Sequence, residues 1–117
     1  MENSFGITGF IFNDDIQWEN VGDGVRRKIM AYDKDLMLTA VEFKKGAIGY
    51  VHKHPHKQVT YIVKGAFEVT IENQKKIQKA GDVFFIPSNV EHGVVSLEED
   101  SLLIDVFNPY REDFIKK

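Results

Sequence analysis

Polar and apolar residues alternate along most of this chain, and turn residues cut the alternation into short runs. Successive side chains of a strand point to opposite faces, so a period of two marks a strand with one buried face. Phe67, Val69 and Ile71 alternate in this way with Glu68, Thr70 and Glu72. Val25–Tyr32 predicts another strand, with Ile29 and Ala31 on one face and Arg26 and Lys28 on the other. Residues 36–44 follow, with Met37, Thr39, Val41 and Phe43 sharing a face. Residues 50–54 read as extended up to Pro55, which cannot donate to a ladder. The apolar run 59–64, the short buried run Val83–Ile86, and residues 92–97 and 101–107 complete the set.

Gly22-Asp23-Gly24, Asp33-Lys34-Asp35, Lys45-Gly46, Ala80-Gly81-Asp82 and Pro87-Ser88-Asn89 are turn signals, and Asn73-Gln74 predicts a hairpin tip. Residues 1–24 are the least patterned. There Phe10 with Phe12, and Ile16 with Trp18, predict short edge strands that cover a sheet or a dimer partner. Residues 110–117 predict a short closing helical turn. The total is about nine or ten short strands with turns roughly every 8–12 residues and no long helical period, which defines an all-β sandwich or barrel.

Composition narrows this picture. A chain of 117 residues fits a single domain, expected to span 1–117 with its core at 25–107 and a closing segment at 108–117. Hydrophobic residues at 43%, with nine Phe, supply a core. A net charge of -3 argues against nucleic acid as a partner, because phosphate contacts need a basic surface. The absence of cysteine removes disulfides and thiolate ligands. No basic, apolar leader opens the chain and no run is long and apolar enough to span a membrane, so the expected setting is cytoplasmic.

Candidate chemistry gathers between Gly46 and Gly65, which hold His52, His54 and His56. His52 and His54 share a strand face, while Lys53 and Lys57 have the opposite parity and can stay in water. Gln58 lies beyond Pro55, where the chain must turn. His92 is distant in sequence, at the start of a strand. In a closed barrel His52, His54, Gln58 and His92 can converge on one divalent ion, since imidazole suits zinc, nickel, iron, copper and manganese. Spacing alone also allows the commoner outcome, a surface or hydrogen-bonded His-x-His pair. His56, after Pro55, is left off the ligand set.

Leu103, Asp105 and Phe107 share a face of the last strand. That face can look outward, with Asp105 in water, or inward, where an unpartnered carboxylate is costly. Arg111 beyond it is either a surface ion pair or a bidentate clamp for a carboxylate at a pocket rim.

The spacings themselves resemble a known pattern. From Gly46, five residues lead to His52-x-His54, three more to Gln58 and six more to Gly65. From Gly81, five residues lead to Pro87, with Asn89 two further on and His92 three beyond that. This resembles the two-part signature of the cupin superfamily, with Gln58 where glutamate is usual and Asn89 where glycine is usual. The resemblance implies a jelly-roll barrel, or double-stranded β-helix, with one metal ion (Ni, Zn, Fe or Mn) held by His52, His54, Gln58 and His92. The run DVFNPYREDF, with VRRKIMAYDKDLML, HKHPHKQVTYIVKG and AGDVFFIPSNVEHG, is similar to the single-domain cupins of the KdgF type. That similarity implies metal-dependent ring opening of 4,5-unsaturated monouronates to 5-keto-4-deoxyuronate, with Asp105, Phe107 and Arg111 in the catalytic and substrate-contacting positions. It also implies a small-molecule carboxylate as ligand and a homodimer. A cupin dioxygenase and a non-catalytic sugar- or acid-binding module are the competing readings.

Overall fold

The computed structural model describes residues 9–116. Ten strands carry the fold: β1 (Glu19–Gly22), β2 (Val25–Tyr32), β3 (Met37–Phe43), β4 (Ile48–His52), β5 (Lys57–Lys64), β6 (Ala66–Ile71), β7 (Gln74–Lys79), β8 (Val83–Ile86), β9 (His92–Ser96) and β10 (Ser101–Asn108). One short helix, α1 (Glu112–Ile115), follows them. All pairings are antiparallel. They form a six-stranded sheet in the order β1-β2-β3-β10-β5-β8 and a four-stranded sheet in the order β4-β9-β6-β7. The two sheets face each other as a jelly roll, the expected all-β class.

The core follows from alternation. Val41 and Phe43 on β3, Ile62 on β5, Phe67 and Val69 on β6, Phe84 and Ile86 on β8 and Leu103 on β10 pack into one buried cluster. A second cluster of Tyr32, Met37 and Phe107 closes the other end against Tyr110 and Phe114. Burial of a side chain of this size contributes roughly 1.5–3 kcal/mol. The ladder registers stack the inward residues into rows. Val41, Leu103 and Ile62 form an apolar row. The next row is Thr39, Asp105, Thr60 and Phe84, and beyond it run Met37, Phe107, Gln58 and Ile86.

β5 is the unexpected strand. Its apolar residues Val59, Tyr61 and Val63 are exposed, while Gln58 and Thr60 are buried with Ile62. Gln58 and Thr60 therefore enter the barrel with Ile62, while Val59, Tyr61 and Val63 leave it.

Several segments depart from the sequence expectation. In β2 the register shifts between Ile29 and Ala31, so Met30 is a bulge and the two residues face opposite ways. Ile29 pairs with the inward Thr39, and Ala31 with the outward Leu38. Arg26 is exposed as expected, but Lys28 is buried, with its ammonium on the Asn13 side chain and carbonyl and over the Trp18 ring. Phe10 and Phe12 form no strand and are 91% and 66% exposed. A 3-10 turn (Asn13–Asp15) follows them, and the only edge strand described in this segment is β1. The expectations for residues 1–8 lie outside the described residues. Ile71 pairs with Gln74, which moves the hairpin tip back to Glu72-Asn73, with Glu72 at φ 52°.

The signature positions have backbone reasons. Asn89 holds φ 62°, which asparagine tolerates better than most residues. Its N–H donates to the carbonyl of His54 at 2.7 Å, so this turn pins the histidine loop. Gly65 has φ +81°, and a Cβ there would lie 2.9 Å from the Ser101 backbone, closer than any side chain fits.

Candidate active site

β4 and β9 place two histidines directly opposite each other, because His52 and His92 are ladder partners. His54 sits just past the end of β4, on the loop that Asn89 pins. One ring nitrogen from each of His52, His54 and His92 lies within 4.8 Å of the other two. Gln58 reaches the same point from β5 in the other sheet, its Oε1 3.0 Å from His54 Nε2. The residues that sequence spacing brings together thus meet at one point. His56 lies outside the group, and its backbone carbonyl serves His54.

The protonation pattern is set by the backbone. His52 Nδ1 faces the Tyr50 carbonyl at 2.8 Å, His54 Nδ1 the His56 carbonyl at 3.0 Å and His92 Nδ1 the Val90 carbonyl at 2.9 Å. A carbonyl only accepts, so each Nδ1 carries the hydrogen and each Nε2 presents a lone pair. Burial, reinforced by the Arg111 charge, holds His54 below the usual histidine range. Burial pushes His92 down to about 4.

Two features of this donor set call for a cation. His92 Nε2 is buried with no hydrogen-bond partner. His54 Nε2 and Gln58 Oε1 face each other at 3.0 Å with no proton between them. The Gln58 amide cannot turn around without loss, because its Nε2 donates to Thr60 Oγ1 at 2.8 Å and to Asp105 Oδ1 at 3.1 Å. Two lone pairs so placed repel unless a positive charge lies between them. Ligand atoms about 2.1 Å from one ion sit roughly 3 Å apart, so the pair fits two donors of a single metal site. Three neutral imidazoles and an amide oxygen suit a borderline divalent ion.

A cavity of about 660 Å³ opens between the sheets, with His52, His92 and Gln58 in its wall. Asp105, Phe107 and Arg111 line it too. Asp105 therefore faces inward, and Phe107 is 2% exposed. Thr60 donates to Asp105 Oδ1 at 2.5 Å. Oδ2 has no hydrogen-bond partner among the described residues, and Thr39, Asp105's ladder partner on the other side, has a buried hydroxyl without one. Desolvation raises the Asp105 carboxyl to about 6, although the Thr60 and Gln58 hydrogen bonds and the Arg111 charge pull the other way.

Arg111 is not at a rim. It is 8% exposed, and its guanidinium lies 5.1 Å from the Phe107 ring centre and 4.2 Å from that of Phe114. Its Nε and Nη2 donate to the two carboxylate oxygens of Asp113 at 3.0 and 2.9 Å. Nη1 donates to no side chain or backbone group among the described residues.

Sequence reasoning missed Thr60, Arg27, Asp113 and Phe114. Thr60 shares parity with Gln58, which is a usable signal once Gln58 is placed inside. Arg27 shares parity with Val25; it lines the cavity, stacks 3.7 Å over Phe114 and pairs with Glu19. Asp113 and Phe114 lie in the closing segment and carry no periodic signal.

Barrel and histidine cluster together define a jelly roll with three histidines that could hold a metal ion, and the family follows. A family model described as Cupin domain matches residues 39–107. The chain belongs to the cupin family. It is 50% identical over 107 residues to the pectin degradation protein KdgF of Dickeya dadantii, covering 91% of this chain and 97% of that one. The structure of KdgF from Halomonas sp. superposes with a TM-score of 0.88 at 46% identity, covering 91% of this chain and 99% of that chain. An RmlC-like cupin from Shewanella frigidimarina superposes with a TM-score of 0.87 at 42% identity over 92% of this chain and 96% of that one. Among the described residues no helix is long and apolar enough to cross a membrane.

Two predictions follow from this geometry. Metal-free protein titrated with Mn²⁺, Ni²⁺ or Zn²⁺ gains thermal stability, about 2.7 kcal/mol at a hundredfold excess over Kd. His92→Ala abolishes that gain in a melting experiment. The second concerns pH. The folded Asp105 carboxyl at about 6 keeps a proton that the unfolded chain, at 3.8, releases earlier. The Asp105 contribution to stability therefore falls as pH rises through that window, while the lowered His92 works in the opposite direction, and Asp105→Asn removes only the fall. Urea unfolding of metal-free proteins shows the variant gaining on wild type by on the order of 2–3 kcal/mol between about pH 4 and pH 7.

Proposed function

We propose that this protein opens the ring of a 4,5-unsaturated monouronate, giving the linear 5-keto-4-deoxyuronate, in the breakdown of pectin or a related polyuronate. The observation that carries the reading is the position of Asp105. It is a carboxylate poised near neutrality, in one cavity with a buried arginine and hydrogen-bonded to the glutamine of the histidine cluster. The half-identical pectin degradation protein supports the substrate class.

The substrate is a cyclic hemiacetal whose ring oxygen is also part of an enol ether. Asp105 Oδ2 takes the proton of the C1 hydroxyl. The electron pair left on that oxygen forms the C1 carbonyl, the bond from C1 to the ring oxygen breaks, and the pair from that bond leaves as an enolate. The protonated Asp105 then returns the proton to C4, which completes the C5 ketone, so the reaction is an isomerisation with no co-reactant. A divalent ion held by His52, His54, His92 and Gln58 would supply stabilisation of negative charge on the substrate's oxygens. Arg111 holds the substrate carboxylate, as a planar guanidinium does best. Phe107 packs on the sugar and excludes water. A carboxyl at about 6 suits both halves of Asp105's task, since a group titrating near the working pH both accepts and returns a proton.

A homodimer is part of the proposal. Leu38, Val106, Val59 and Phe85 form one apolar row across the outside of β3, β10, β5 and β8, and Ala40, Ile104, Tyr61 and Val83 form the next. An uncharged face of this breadth fits a second copy of the same face. Light scattering coupled to size exclusion gives twice the mass of one chain, and Tyr61→Lys with Phe85→Glu lowers it to one.

The chemistry is tested with Asp105→Ala at matched metal content. Its rate on the unsaturated monouronate drops by about 10²–10⁴-fold, towards the spontaneous reaction. Full activity in that variant removes Asp105 from the role.

A further inference from the structure

Metal binding alone does not explain why residue 58 is a glutamine. A glutamate at the same place would offer the same kind of oxygen and add a negative charge, which a divalent ion binds more strongly. The explanation lies on the other end of the side chain. Gln58 Nε2 has two N–H groups, and both are used: one on Thr60 Oγ1 at 2.8 Å and one on Asp105 Oδ1 at 3.1 Å. The Thr60 hydroxyl accepts from Gln58 and donates to the same Oδ1 at 2.5 Å. The three side chains form a closed triangle in which every bond runs toward Asp105. Its Oδ1 is fully engaged and Oδ2 is left without a partner among the described residues. A glutamate could keep the metal-facing oxygen but would have nothing to donate. Its second oxygen would face Oδ1 across a hydrogen-bond distance, acceptor against acceptor.

We propose that Gln58 is a positioning residue for Asp105 as well as a metal ligand. Its carbonyl oxygen is turned to the three histidines while its amide, through Thr60 and directly, fixes Oδ1 so that Oδ2 alone meets the substrate. One planar group thereby sets the metal shell and the proton-transferring carboxylate in a single geometry. Its catalytic consequence rests on the reading of Asp105 as the base given above. Its hydrogen-bond content does not.

The direction of the triangle supplies the test. Exchanging the two residue types reverses every bond: an amide at 105 donates to Thr60 and to a carboxylate at 58, and the Thr60 hydroxyl turns to donate there too. The measurements use full-length wild type, Gln58→Glu, Asp105→Asn and the double variant, each metal-free and then titrated with Mn²⁺ against a competing chelator. At a pH near 8, Gln58→Glu lowers the melting temperature of the metal-free protein by several degrees. In the Asp105→Asn background the same substitution costs little or nothing. Mn²⁺ affinity rises at least about tenfold in Gln58→Glu, while kcat on the unsaturated monouronate falls and KM stays near wild type. Tighter metal binding with slower turnover separates positioning from ligation. Thr60→Val gives the same kcat loss with unchanged Mn²⁺ affinity, and Thr60→Ser restores kcat, which covers the case of a poorly folding Gln58→Glu. Equal melting losses in both backgrounds, or undiminished kcat in Gln58→Glu or Thr60→Val, overturns the proposal. The melting and Mn²⁺ arms need no substrate, so wild type inactive on the uronate contradicts the functional reading and leaves these arms decisive for the triangle.

Discussion

Taking the Asp105 carboxylate into the interior of a β-barrel is the constraint on which the rest of the site depends. A buried charge without partners is costly enough that the group takes up a proton or the fold changes. Here β5 supplies the partners. Its inward face puts Gln58 and Thr60 next to β10, while Val59, Tyr61 and Val63 turn out. The ladder register then delivers both side chains to one oxygen of Asp105. Burial still dominates and leaves the carboxyl near 6.

The same arrangement determines the histidine cluster. With its amide committed to Thr60 and Asp105, Gln58 can offer only its oxygen to His54. Three backbone carbonyls hold the Nδ1 hydrogens and turn the Nε2 lone pairs inward. Arg111 contributes at longer range, since its charge lowers both His54 and Asp105. Its own charge is balanced by Asp113 and its position is fixed against Phe107 and Phe114. Arg111 is thus paired with Asp113, and Arg27 with Glu19.

Alternation made most of the fold legible. β3, β6 and β10 carry their inward residues at the positions the period of two assigns, because regular ladders leave no freedom in which face a residue takes. β8 reads in the sequence as a wholly buried run, but Val83 and Phe85 are half exposed, because only Phe84 and Ile86 face the barrel and four apolar residues in a row carry no alternation to show it. Ile29 and Ala31 failed because a bulge at Met30 changes the parity, and a bulge has no signature in one sequence. Lys28 failed because its long side chain finds partners in Asn13 and Trp18, residues too far along the chain for local pattern to connect. In the site, the histidines were legible through spacing and Asp105 through its apolar neighbours. Thr60, Arg27 and Asp113 were not, because their importance lies in the partner each one meets across strands or turns. Arg111 was left between a surface ion pair and a clamp at a pocket rim, because the closing segment has no periodicity from which to read its burial.

The central claim is that the histidine cluster and Asp105 together open an unsaturated uronate ring. The direct measurement is NMR of a 4,5-unsaturated monouronate, following loss of its anomeric signals with the protein metal-loaded, chelator-treated, and reloaded with the same ion. The account predicts ring opening well above the spontaneous rate when loaded, a return to the spontaneous rate on chelation, and recovery on reloading. Consumption at the spontaneous rate by fully metal-loaded, folded protein would contradict it.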